Sequence, residues 1–164
     1  MFRSSAPVSG AGFHDRDEEL ARVLDAFDAL RRGAPRWVAI GRPPKVGKTS
    51  LLLEAARRAP EAIHVAVIDV FERAPLDLEI FRLIAARALD ALLAEEAHGS
   101  LARRLHAPSE LRALLHAAPS LHALQPALRA DLDRFADEPA SADAVRRWLE
   151  LPEELCAALD RKLV

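Results

Sequence analysis

The sequence predicts an α/β fold whose N-terminal half holds a partial parallel sheet with flanking helices. Two apolar runs of strand length, at 37–40 and 63–71, support this prediction. The second run is nearly continuous and rich in β-branched residues, as strands buried on both faces of a parallel sheet are. Apolar residues recur at helical spacing between the two runs and again after the second. Strand, helix, strand and helix in this order form a right-handed βαβ unit.

Three helices are predicted in this half, at 15–32, 49–58 and 76–96. The first has acidic residues in its first turn and Gly33 just past its last apolar position, which are the usual signals for a helix start and stop. Asp77 and Gly99 bound the third helix in the same way.

From Ser100 onward the pattern predicts short helices separated by prolines, with no strand before Leu163 and Val164. The helical segments are 101–106, 109–117, 127–135, 141–150 and 152–161. We therefore expect a disordered lead-in at 1–12, a βαβ core at 13–99 and a helical segment at 100–164.

The bulk composition predicts a cytoplasmic domain with one core. The chain has 164 residues, of which 51% are hydrophobic, and its formal net charge of −2 gives no general attraction to nucleic acid or anionic membranes. No apolar run approaches the roughly 18 residues of a membrane-spanning helix. The single cysteine, Cys156, excludes an intramolecular disulfide and fits a reducing compartment.

A turn between the first strand and the second helix carries the main chemical signal. Gly47-Lys48-Thr49 opens an apolar helix directly after that turn, which is the arrangement of a phosphate-binding P-loop. The first amides of a helix are unpaired and lie at its positive end, so a di- or triphosphate can bind there. Lys48 is expected to reach the β- and γ-phosphates, and the Thr49 hydroxyl to ligate Mg²⁺. The predicted nucleotide-binding residues of the loop are Gly41, Val46, Gly47, Lys48, Thr49 and Ser50, and the predicted ligands are ATP and Mg²⁺.

The loop departs from the usual spacing of four residues between its two glycines. Five residues separate Gly41 from Gly47, and Arg42 stands where the first glycine is expected. Pro43 and Pro44 also remove two amide donors. We expect residues 46–50 to do most of the phosphate binding.

A second motif precedes the first helix. The run Phe13-His14-Asp15-Arg16-Asp17-Glu18-Glu19-Leu20, followed by Val46-Gly47-Lys48-Thr49-Ser50-Leu51-Leu52, resembles the archaeal-type P-loop ATPase family of the AAA+/STAND branch. The resemblance covers about residues 13–95 and implies a P-loop NTPase fold that binds ATP. It also implies that Phe13, Asp15 and Arg16 lie near adenine, whereas the residues by themselves are equally consistent with a solvated helix start.

The resemblance creates an expectation that the sequence does not meet. A strand of four apolar residues followed by Asp-Glu should come after the second helix and any helical insertion, to order Mg²⁺ and activate water. None is present, and residues 152–164 resemble the elements that lead into it. The sequence thus suggests the N-terminal portion of a longer ATPase, truncated before that strand, and we expect no measurable steady-state ATPase from this chain alone.

Two alternatives stay open at this point. In the first, the chain is a nucleotide-gated switch or scaffold whose helices after Ser100 bind a protein partner. In the second, it is a small P-loop kinase in which Asp69 contacts the phosphoryl acceptor while Arg103 and Arg104 close over it. The six histidines show no metal-ligand spacing, and the arginine pairs are typical of solvated helix faces, so nucleic-acid binding is not expected.

Overall fold

The computed structural model describes residues 7, 9–10, 13, 15–41, 46–68, 78–94, 100–105 and 107–164. The chain forms two compact units, one of Met1–Val67 together with Val164, and the other of Ile68–Leu163. The described part of the chain is mostly helical. Its elements are α1 (Asp17–Arg31), α2 (Lys48–Arg57), β1 (Ile63–His64), α3 (Glu79–Leu92), a 3-10 turn (Ala102–Arg104), α4 (Pro108–Ala117), a 3-10 turn (Pro119–Ala123), α5 (Pro126–Asp137), α6 (Ala142–Leu159) and β2 (Lys162–Leu163).

The first unit is built on α1 and α2, which bury their apolar faces against each other and against β1. Helix α1 ends at Arg31, and Gly33 then adopts a φ of 77°, the left-handed conformation that closes many helices at low cost when the residue is glycine. Phe13 and Ile40 pack at the edge of this core. The buried core residues are Leu20, Val23, Phe27, Leu51, Ala55 and Ile63.

Val164 pairs with the backbone at β1 inside this unit. The amide of Val164 donates to the carbonyl of His64 at 2.9 Å, and its carbonyl accepts from the amide of Ala66 at 2.8 Å. One residue bonded to two residues that flank a position on the other strand is the pattern of a parallel pair. The pairing is therefore of the predicted parallel type, but β1 is only two residues long and its partner is Val164 rather than the predicted strand at 37–40.

The second unit contains the larger core. Helices α3, α5 and α6 supply most of it, and the side chains of Phe135 and Trp148 meet edge to face with their ring centroids 6.4 Å apart. Pro108 and Pro126 occupy the first positions of α4 and α5, where the missing amide costs nothing. The predictions of helices at 109–117 and 127–135 are confirmed within two residues at each end.

The prediction of a strand at 37–40 is wrong. These residues have no regular secondary structure, Trp37 is fully exposed, and Val38 is also exposed. Apolar content alone does not make a strand, since its amides and carbonyls need a partner along at least one edge, and none of the described residues pairs with this segment. The predicted strand at 63–71 is confirmed only at its first two residues; 65–68 are irregular and 69–71 lie outside the described residues.

The predicted break at Pro152 is also wrong, because α6 runs through it. Trp148, Leu151 and Leu155 are buried on one face of α6 on both sides of the proline. Burial of large side chains contributes about 1.5–3 kcal/mol each, so together they outweigh the roughly 3 kcal/mol cost of an internal proline. Ser141 begins the helix by accepting a hydrogen bond from the amide of Ala144 at 3.1 Å.

Within the predicted short helix at 101–106, Ala102–Arg104 forms a 3-10 turn, and a second 3-10 turn at Pro119–Ala123 was not predicted. None of the helices in the described part of the chain has the length and apolar character that crossing a bilayer requires.

Candidate phosphate-binding site

Helix α2 begins at the predicted turn. Gly47 is its N-cap with φ 77° and ψ 27°, and Lys48 is its first residue. The carbonyl of Gly47 accepts from the amide of Leu51 at 3.0 Å, which starts the helical ladder. The first turn carries no acidic residue. An anion at the positive, N-terminal end of this ten-residue helix would therefore be stabilised, and no acidic side chain of the first turn would repel it.

The predicted loop residues differ in exposure. Val46 and Thr49 are exposed, while Lys48 and Ser50 are half-buried at the start of the helix. Gly41 is exposed and lies in a segment without regular structure. Residues 42–45, which carry the arginine and the two prolines that depart from the usual loop, lie outside the described residues. The consequence of the five-residue spacing therefore stays a prediction.

The structure places Arg16 against the end of this loop. Its Nη1 donates to the carbonyl of Val46 at 2.9 Å and to the carbonyl of Gly47 at 3.0 Å. Its Nη2 lies 3.5 Å from a carboxylate oxygen of Glu19. Asp15 precedes it with a φ of 61° and is exposed. The guanidinium of Arg16 thus connects the motif at 13–20 to the motif at 46–52.

A buried carboxylate supports α2 from within the same unit. Glu54 is fully buried and accepts from Arg57 at 2.7 and 3.0 Å, from Arg58 at 2.7 Å and from the backbone amide of Gly10 at 2.6 Å. The bond from Arg57 lowers the pKa of Glu54 most, the Gly10 amide lowers it next, and burial acts in the opposite direction.

Sequence reasoning missed this residue. The only signal was a glutamate followed by arginines three and four positions later, a pattern that exposed helix faces share.

The residues of the kinase alternative are only partly described. Asp69 and the side chain of Arg104 lie outside the described residues, and Arg103 is exposed. Within the described ranges, no three His, Cys, Asp or Glu side chains are grouped so that they could hold a metal ion.

The structure thus has a left-handed glycine before Lys-Thr at the start of a helix, at the position where the sequence predicts a P-loop. The family model of the AAA ATPase domain matches residues 13–163, and the chain belongs to this family. Membership supports a P-loop NTPase fold and a nucleotide-binding function of the ATPase type. Neither the curated proteins nor the solved structures include a match to this chain.

Gly47 is expected to be intolerant of a side chain, and Gly33 provides a matched control. Both adopt a φ of 77°, but a Cβ at Gly47 would lie 3.4 Å from Nη1 of Arg16, whereas a Cβ at Gly33 would meet nothing within 4 Å. Gly47→Ala and Gly33→Ala should each cost about 1–2 kcal/mol of stability from backbone strain. Only Gly47→Ala should also weaken nucleotide binding, by roughly tenfold, because it moves the loop amides. Thermal unfolding and nucleotide titration of both variants measure the two effects, and equal binding by both would contradict the assignment of Gly47.

Proposed function

We propose that this chain binds ATP with Mg²⁺ at the N-terminus of α2. The observation that carries the proposal is the left-handed N-cap at Gly47, which turns the chain so that Lys48 and Thr49 open a helix whose first turn has no acidic residue. Membership of the AAA ATPase domain family supports the same ligand.

Each loop residue has a separate role in this proposal. The amides around Gly47 donate hydrogen bonds to the β-phosphate at the helix N-terminus, and the Lys48 ammonium neutralises charge shared by the β- and γ-phosphates. The hydroxyl of Thr49, which is exposed on the first turn, is available as a ligand for the Mg²⁺ that accompanies the nucleotide. Bound Mg²⁺ would neutralise phosphate charge and fix the phosphate geometry.

We further propose that the chain belongs to the archaeal-type, STAND-like branch of its family and acts as a nucleotide-gated switch. The motif at 13–20 supports the assignment to this branch. Nucleotide-dependent binding of a protein partner by the helices after Ser100 would be the corresponding output. A cytoplasmic location and a role for Asp15 and Arg16 near adenine stay predictions.

Lys48→Ala is expected to weaken MgATP binding by roughly 10- to 100-fold, since a charge-assisted hydrogen bond is worth about 1.5–3 kcal/mol. Isothermal titration calorimetry of the purified chain with MgATP measures the dissociation constant directly.

Lys45→Ala is the matched control, because it removes the same charge from the same loop three residues earlier. It should retain most of the affinity. A Lys48→Ala variant that binds MgATP as tightly as the unmodified chain would refute the proposed site.

A further inference from the structure

Arg16 contacts the phosphate loop in a way that bears directly on how the loop amides point. We propose that Arg16 is a positioning residue that orients the amides of Gly47 and Lys48 toward the phosphates by holding the carbonyls behind them. The inference rests on the proposed function, because it assigns the affinity of that site to a residue outside the loop.

The peptide planes at the start of α2 determine where the loop amides point. In a trans peptide, the carbonyl of one residue and the amide of the next point in opposite directions within a single plane. The carbonyl of Val46 shares its plane with the amide of Gly47, and the carbonyl of Gly47 shares its plane with the amide of Lys48. Because one nitrogen of Arg16 binds both carbonyls, at 2.9 and 3.0 Å, both amides must point away from Arg16. Two consecutive amides directed outward form the kind of concavity that binds anions.

The guanidinium of Arg16 is both charged and held in place. Its side chain is only 16% exposed, and Glu19, one turn further along α1, holds the other terminal nitrogen at 3.5 Å. The guanidinium is therefore attached to a packed helix while it holds the loop. A cation on the carbonyl side also polarises both peptide units, which makes their amide hydrogens stronger donors to a phosphate.

The same geometry distinguishes this role from contact with the base. If Arg16 acts through the loop, its loss must weaken the binding of any polyphosphate, including one that carries no nucleoside. If Arg16 instead contacts adenine or ribose, only ligands with a nucleoside should respond. Inorganic tripolyphosphate therefore separates the two roles.

The experiment titrates MgATP and magnesium tripolyphosphate into the full chain and its variants by calorimetry. Arg16→Met is expected to lower the affinity for both ligands by the same factor, roughly tenfold, because a charge-assisted hydrogen bond that positions the loop is lost. Arg16→Lys retains the charge but not the planar guanidinium, so its affinity for each ligand should lie between that of the unmodified chain and that of Arg16→Met. Arg22→Met removes an exposed arginine from the same helix and should bind both ligands as the unmodified chain does.

A spectroscopic measurement tests positioning separately from stability. The chain has six glycines, so selective ¹⁵N-glycine labelling gives few amide signals, and Gly47→Ala identifies the one from Gly47. That signal should shift when tripolyphosphate binds to the unmodified chain, and shift less at equal saturation in Arg16→Lys. This comparison holds even if Arg16→Met fails to fold.

Three results would overturn the inference. Loss of affinity for MgATP alone in Arg16→Met would assign Arg16 to the nucleoside, and retention of both affinities would remove Arg16 from the site. In either case binding by the unmodified chain leaves the proposed function intact. If the unmodified chain binds neither ligand, the proposed function fails and this inference fails with it.

Discussion

Arg82→Met is expected to lower the free energy of unfolding of the second unit by about 3 kcal/mol, which is the range for disrupting a buried, hydrogen-bonded charge. Arg82 lies on α3 and is only 7% exposed. Its guanidinium carbon lies 5.7 Å from the ring centroid of Phe135 and 5.6 Å from that of Trp148. The side chain thus joins α3 to α5 and α6 within one core.

The hydrogen bonds of Arg82 explain why the loss should be large. Its Nε and Nη2 donate to the carbonyl of Phe135 at 3.2 and 2.9 Å, and Nη2 also donates to the carbonyl of Ala136. These carbonyls lie in the last turn of α5, where helices leave acceptors without intrahelical partners. The usual donor to Phe135 would be the amide of residue 139, which is a proline and has none. Arg82 therefore supplies from another helix the donors that α5 lacks.

Methionine retains most of the length and apolar contact of the arginine stem, so the substitution isolates the donors and the charge. The two ring contacts add about 1–2 kcal/mol of cation–π attraction to the loss. Relief of the desolvation of a buried charge acts in the opposite direction and keeps the net effect below the sum of these contributions.

Tryptophan fluorescence measures this effect in the second unit. The chain has two tryptophans; Trp148 is 1% exposed, whereas Trp37 is fully exposed and should emit as in water even in the folded chain. The shift of emission with denaturant therefore reports chiefly on the core around Arg82. Arg146→Met on α6 removes an exposed arginine and should change stability by less than about 0.5 kcal/mol. An unfolding midpoint for Arg82→Met equal to that of Arg146→Met would contradict the role of Arg82.

The sequence predicted what local patterns determine. Helix α2 starts at Lys48 because glycine is the residue that adopts a left-handed conformation at an N-cap without strain, and that signal is carried by three consecutive residues. Helices α1, α4 and α5 follow from apolar spacing and from prolines at first positions. These features depend on interactions within a few residues, so one sequence is enough to find them.

Features that depend on distant partners were not predictable in the same way. Residues 37–40 have the composition of a strand, but a strand also needs a neighbour, and composition does not specify one. Pro152 resembles a helix break until the burial of Trp148 and Leu155 on either side is known. The contact of Arg16 with the loop spans 30 and 31 residues, and that of Glu54 with Gly10 spans 44. No periodicity connects positions that far apart.

Glu54→Gln is expected to destabilise the first unit more than any other single change of a glutamate to glutamine among its described residues. Glutamine retains the shape of the side chain but removes the charge that two arginines and the amide of Gly10 stabilise. At pH 7 the thermal midpoint of this unit should fall by roughly 5 °C or more, as the loss of a buried charged partner predicts. Hydrogen exchange of the α2 amides, followed by mass spectrometry, reports on this unit directly. Glu61→Gln is the control, because Glu61 is exposed in the turn before β1.

The pH dependence of this difference tests its electrostatic cause. The pKa of Glu54 in the folded chain lies well below its ordinary value, chiefly because of Arg57 and the Gly10 amide, whereas the unfolded chain has a pKa of about 4.3. The unfolded chain therefore takes up the proton first as the pH falls. The stabilisation is complete above the unfolded pKa and is lost progressively as the pH falls toward the folded pKa. The stability difference between the unmodified chain and Glu54→Gln should thus be constant from pH 8 to about pH 5.5 and shrink steadily below it. A difference that stays constant down to pH 3 would assign the effect of Glu54 to its shape and packing rather than to its charge.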